Sequence, residues 1–73
     1  MNEGKFRILL TFLVQNVVEL IVNNDQIDEL EAVRSFYTSK TYEMLEREET
    51  KFWWFSPEEL YEEYSGKKLW EAL

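Results

Sequence analysis

Residues Lys5 to Asn23 read KFRILLTFLVQNVVELIVN and form the only long apolar segment of the chain. At about 100° per residue, Phe6, Leu9, Leu10, Leu13, Val14, Val17, Leu20 and Ile21 fill one half of a helical wheel without interruption. Arg7, Thr11, Gln15, Asn16, Glu19 and Asn23 occupy the other half, with Ile8, Phe12, Val18 and Val22 set among them. An ordinary surface helix has an apolar stripe of roughly 100°, whereas this one covers about 180° and adds four apolar residues beyond it. The spacing therefore predicts a helix buried by several neighbours, with a second protein chain as one candidate for the remaining apolar surface.

The rest of the chain must supply that cover from 73 residues, near the lower size at which one core holds a fold unaided. There is no cysteine and no histidine, so neither a disulfide nor a thiolate or imidazole zinc site can help. Stability must come from the apolar core or from oligomerisation. With 45% hydrophobic and 16% aromatic residues, the composition supplies the material for a core.

Three further helices are predicted. Asn23-Asn24-Asp25 stops the first helix, and Asn24 or Asp25 caps a second over about Gln26 to Tyr37. Its expected core face is Ile27, Leu30, Val33 and Tyr37, with Phe36 close by. Ser39 caps a third helix from Lys40 to Glu48, docked through Tyr42 and Leu45. The run Phe52-Trp53-Trp54-Phe55 has no helical period and predicts an extended or irregular connector. Ser56-Pro57-Glu58-Glu59 reads as cap, first helical proline and capping-box glutamate for a fourth helix that ends at Ser65-Gly66. Leu69, Trp70 and Leu73 suit a short last helix or a loose tail. The expectation is one all-α domain over residues 1–73, a small bundle of four helices with a possible short fifth, packed around the N-terminal helix.

The charge narrows the function classes. Fifteen acidic and eight basic residues give −7, and only Lys67-Lys68 are adjacent cations. Nucleic acid and anionic membranes would be repelled, and a basic protein would be attracted. Gln15, Asn16 and Glu19 interrupt the first helix as a membrane span, and no small-x-small cleavage site follows it. A cytoplasmic location fits the absence of cysteine. Catalysis has little to use: Gly4 and Gly66 form no phosphate loop, and Ser39-Lys40 is explained by helix capping. Glu59, Glu62 and Glu63, or Glu43, Glu46 and Glu49, could in principle hold a divalent metal, but di-metal bundles use inward Glu-x-x-His motifs and histidine is absent. The expected reading is a non-enzymatic protein without cofactors or metals.

Tryptophan and tyrosine concentrate binding energy at interfaces, and four adjacent aromatics cannot all point inward from one extended segment. Phe12 and Val18 on the second face of the first helix, together with Trp53 and Trp54, are the expected partner-binding residues. The same rings could instead simply close the core.

Phe36-Tyr37, Ser39-Lys40-Thr41, Leu45, Glu49-Thr50, Ser56-Pro57 and Tyr61 resemble a pattern in short bacterial proteins of unknown function that also begin with an apolar helix. The resemblance covers most of residues 6–64 and implies a bacterial cytoplasmic protein, with an antitoxin-like or adaptor role permitted. The aromatic run is richer here than in that pattern. Two readings follow: a protein-interaction module, either a homodimer or an acidic partner of a basic protein, and a small structural or regulatory domain with no specialised surface. A carboxylate metal-dependent enzyme is a remote third.

Overall fold

A computed structural model describes residues 2–66. The chain forms α1 (Glu3–Asp25), α2 (Glu29–Tyr37), α3 (Lys40–Leu45), two 3-10 turns (Glu48–Thr50 and Phe52–Trp54) and α4 (Pro57–Ser65). No strand occurs among the described residues, and the fold is a small all-α bundle. Leu69, Trp70 and Leu73, the expected last helix, lie outside the described residues.

The first helix is longer than its apolar run. Asn2 caps it, its side-chain oxygen accepting from the Lys5 N–H at 2.8 Å. The helix ends at Gln26 in the left-handed conformation, φ 55°, where the N–H donates to the Val22 carbonyl at 3.1 Å. The asparagines expected to stop it do not do so: Asn24 stays helical and donates back to the Leu20 carbonyl. Asp25 does not cap α2 either. Its carboxylate accepts from the Tyr61 hydroxyl at 2.7 Å, a tertiary partner 36 positions away. Asp28 takes over the cap, accepting from the Glu31 N–H, so α2 begins three residues later than expected and Ile27 falls in the connection.

α1 is the axis of the molecule: α2 and α4 both pack along it, and α3 joins those two. Its buried residues are Phe6, Leu13, Val14, Val17, Val18 and Ile21. This stripe is turned by about 40° from the apolar half of the wheel, towards Val18. Leu9, Leu10 and Leu20 are only partly covered. The cause is that two helices approach from one side. The core joins Val17 and Ile21 to Phe36, Leu45 and Leu60, all at 0% exposure. Each contributes about 1.5–3 kcal/mol by burial, against about 4–11 kcal/mol expected for a whole domain of this size. No buried side-chain nitrogen or oxygen of the described residues lacks a hydrogen-bond partner.

α2 is rotated from its expected face. Ala32 and Phe36 are its buried residues, while Leu30 and Tyr37 are 63% and 47% exposed. Ala32 and Phe36 are both fully enclosed in the core that α2 shares with α1, and Val33 is only partly covered. α3 starts at the expected Ser39 cap but stops at Leu45 instead of Glu48. Thr50 closes its end, the hydroxyl lying 2.6 Å from the Met44 carbonyl and 2.8 Å from that of Arg47.

The aromatic run is not extended. Lys51 adopts the left-handed conformation, φ 60°, and Phe52–Trp54 coil into a 3-10 turn. This turn brings Phe52, Trp53 and Phe55 onto the core and leaves Trp54 outside. The Trp53 indole donates to the Glu48 carbonyl at 2.8 Å, and its ring meets Phe6 edge-on with centroids 6.5 Å apart. A straight strand could present only alternate rings to one side, so aromatic burial overrides strand propensity here. α4 follows the sequence closely: Ser56 and Glu59 form the reciprocal capping box, and Gly66 ends the helix at φ 74°.

Candidate functional site

The rotation of α2 leaves a groove between α1 and α2 of about 560 Å³. Thr11, Val14, Gln15, Val18, Glu19 and Val22 line it from α1, and Glu29, Val33 and Tyr37 from α2. The α1 residues follow a helical register of i, i+3, i+4, i+7, i+8 and i+11, one continuous face about 16 Å long. The two helices are joined by three residues and run antiparallel, so Val22 and Glu29 mark one end and Thr11 and Tyr37 the other.

The groove sits inside a larger apolar surface. Ile8 is 73% exposed and Phe12 57%, and they stand one turn apart on α1, next in register to Thr11 and Gln15. Leu30, one turn before Val33, borders the α2 side. Of the five large hydrophobic residues most exposed among those described, four (Ile8, Phe12, Leu30 and Tyr37) thus lie on or beside this groove; the fifth is Trp54. An isolated apolar residue on a surface needs no explanation, whereas a contiguous set with polar rims marks an interaction site.

The residues singled out from the sequence are divided by the fold. Phe12 flanks the groove. Val18 is 6% exposed and belongs to the chain's own core, presenting only an edge to the groove floor. Trp53 is held by its hydrogen bond and its contact with Phe6, and packs against the core. Trp54 is 69% exposed, with the Lys51 ammonium 5.3 Å from its ring centroid and Trp53 edge-on to it. Trp53 and Trp54 therefore occupy the 3-10 turn beside the N-terminal part of α1, not the α1–α2 groove. Leu30, Val33 and Tyr37 were not in the expected set because their spacing read as a core face. The available signal was surplus: a nine-residue helix with Leu30, Ala32, Val33, Phe36 and Tyr37 has more apolar residues than one buried stripe holds.

Several polar side chains singled out in the sequence make local structural contacts. The Ser39 hydroxyl donates to the Phe36 carbonyl at 2.6 Å and accepts from the Tyr42 N–H. Glu59 is in the capping box, and Glu43 pairs with Arg47 at 3.6 Å. No three acidic residues of those described converge enough to hold a metal ion. Burial pushes the Tyr61 hydroxyl up to about 12, with its hydrogen bond to Asp25 and the carboxylate's negative charge adding to the effect. Burial also raises Tyr42, helped by Tyr37 and Glu46. Both phenols are thereby kept neutral, and that of Tyr61 donates to Asp25.

α1 is long and apolar enough to cross a membrane by length and composition, with a mean hydropathy of 1.5 over its best 18-residue window. Core helices of the same composition are also built this way, and here a third of that window is buried by α2, α4 and the turns. Comparison of the chain with protein-family models, curated proteins and solved structures finds no match. The resemblance carried by Phe36-Tyr37, Ser39-Lys40-Thr41 and Ser56-Pro57 accordingly transfers no residue role to this chain.

Proposed function

We propose that this chain is a non-enzymatic, cytoplasmic protein-interaction module whose docking surface is the α1–α2 groove with its flanking residues Ile8, Phe12, Leu30 and Tyr37. One observation carries the reading: of the five large hydrophobic side chains most exposed among the described residues, Tyr37 lines a groove floored by valines, and Ile8, Phe12 and Leu30 stand beside it in helical register. Full burial of such a side chain contributes about 1.5–3 kcal/mol, so completing four half-buried ones offers roughly 3–6 kcal/mol before ordering costs. That gain on this side alone falls short of nanomolar binding and reaches micromolar only with a similar gain from the partner's own apolar burial. A reversible surface of this kind suits an adaptor.

The exposed Trp54 supports a second reading, in which the partner meets the aromatic turn. A photo-crosslinking amino acid at position 12, 54 or 63 separates the two in cells that make the chain. Glu63 is exposed on α4 and serves as the control position. A discrete product from position 12, absent from position 63 and lost on Leu30→Glu, is expected. Products from position 54 alone would move the docking surface to Phe52–Trp54. Equal labelling at all three positions would leave a small structural domain with no specialised surface.

A further inference from the structure

Resting on that docking reading, we infer that the occupant of the groove is an amphipathic helix from a basic partner, about three turns long, with Lys or Arg at the end that meets Glu19 and Glu29. The length comes from the groove. Thr11 to Val22 spans about 16 Å of helix, and a partner helix covering it needs about 11 residues. The floor residues Val14, Val18, Val22 and Val33 are apolar along the whole of that length, and Tyr37 closes one end. A row of apolar side chains at i, i+3 or i+4 and i+7 fits such a floor.

The polarity comes from the rim. The groove is lined by two carboxylates and by no lysine or arginine. Glu29 opens α2 and Glu19 lies in the second half of α1, so both charges belong to the same end, while Thr11, Gln15 and Tyr37 leave the other half neutral. Neither Glu19 nor Glu29 is within salt-bridge distance of a cation of the described residues. An occupant that brings cations to this end gains electrostatic attraction from a chain already at −7. A second copy docking groove to groove would bring no cation to Glu19 or Glu29, because the groove itself carries none. The charge pattern therefore selects a basic helix over self-association at this face.

The test uses the full chain and two labelled peptides of about 14 residues, each with leucines at helical spacing on one face. One has two arginines at one end and the other has two glutamates in their place. Fluorescence anisotropy at low salt should show micromolar binding of the basic peptide and at least about tenfold weaker binding of the acidic one. Glu19→Lys/Glu29→Lys should invert that order, and Phe12→Ala/Leu30→Ala should weaken both, with circular dichroism melts showing all variants folded. Equal affinity for both peptides, still weakened by Phe12→Ala/Leu30→Ala, would overturn the basic partner and leave the docking groove standing. Binding indifferent to Phe12→Ala/Leu30→Ala would overturn both. Absence of basic-peptide binding would overturn the inference; a light-scattering dimer that Phe12→Ala/Leu30→Ala dissociates would then assign the groove to a second copy. Binding that emerges only in Lys67→Glu/Lys68→Glu would assign it to the chain's own end and equally overturn the inference.

Discussion

Tyr61 shows how one side chain ties the bundle together. Its ring is 3% exposed in the core, and its hydroxyl reaches Asp25 at the end of α1. Since the folded phenol titrates at about 12 and an unfolded one at about 10, the fold retains a proton that the unfolded chain loses between those values. Stability should therefore be unaffected by this group below pH 10, fall as pH rises to about 12, and level off above it. The loss amounts to about 2–3 kcal/mol at most. Tyr61→Phe should lower stability at neutral pH by about 1 kcal/mol, through the lost hydrogen bond, and make the alkaline decline shallower. Urea unfolding of both proteins from pH 8 to 12 measures the difference. Tyr42 will leave a smaller slope in the variant, because it too is raised. If the two proteins decline in parallel, the Tyr61–Asp25 link has no part in alkaline unfolding.

At the scale of elements, α4 depends on its ends. It has nine residues, too few to persist alone, and its start is fixed by Ser56, Pro57 and Glu59. Ser56→Ala should cost about 1 kcal/mol, read as a lower urea midpoint at unchanged slope. A change near zero would mean that Leu60 and Tyr61 hold α4 by packing alone. The local signals for this helix were all legible in the sequence, as were Ser39 as a cap and α1 as the organising helix. What the sequence hid was rotation and tertiary competition. α2 turned so that Ala32 and Phe36 faced the core while Leu30 and Tyr37 stayed exposed, a choice among apolar residues that spacing within one helix does not make. Asp25 was spent on Tyr61, leaving the cap to Asp28. The aromatic run coiled because three rings had core space to fill, which strand propensity cannot register. The groove is a product of these tertiary effects, and only Phe12 of the four residues expected at a partner surface marks its rim.

On the scale of the whole molecule, the governing quantity is a charge of −7 on a body whose described residues extend 37 × 25 × 17 Å. At about 0.01 M salt the screening length is about 30 Å, so most of these charges repel one another across the fold; at about 0.1 M it is about 10 Å and only neighbours do. Adding salt over that range should raise the melting temperature. The same addition should weaken the basic peptide at Glu19 and Glu29, giving opposite signs for stability and binding in one buffer series. A melting temperature that falls with salt would mean that local attractions, such as Arg47–Glu43, outweigh the net repulsion.

The length of α1 has a consequence for synthesis. The helix is complete at Asp25, whereas α4, which covers one side of it, ends at Ser65, about forty residues later. At ~5–20 residues per second the ribosome needs about 2–8 s to add them. Throughout that interval an apolar helix, by composition fit for a bilayer, is unaccompanied by its last partner. Nascent-chain factors that sort by hydrophobicity therefore meet α1 before the fold has declared itself.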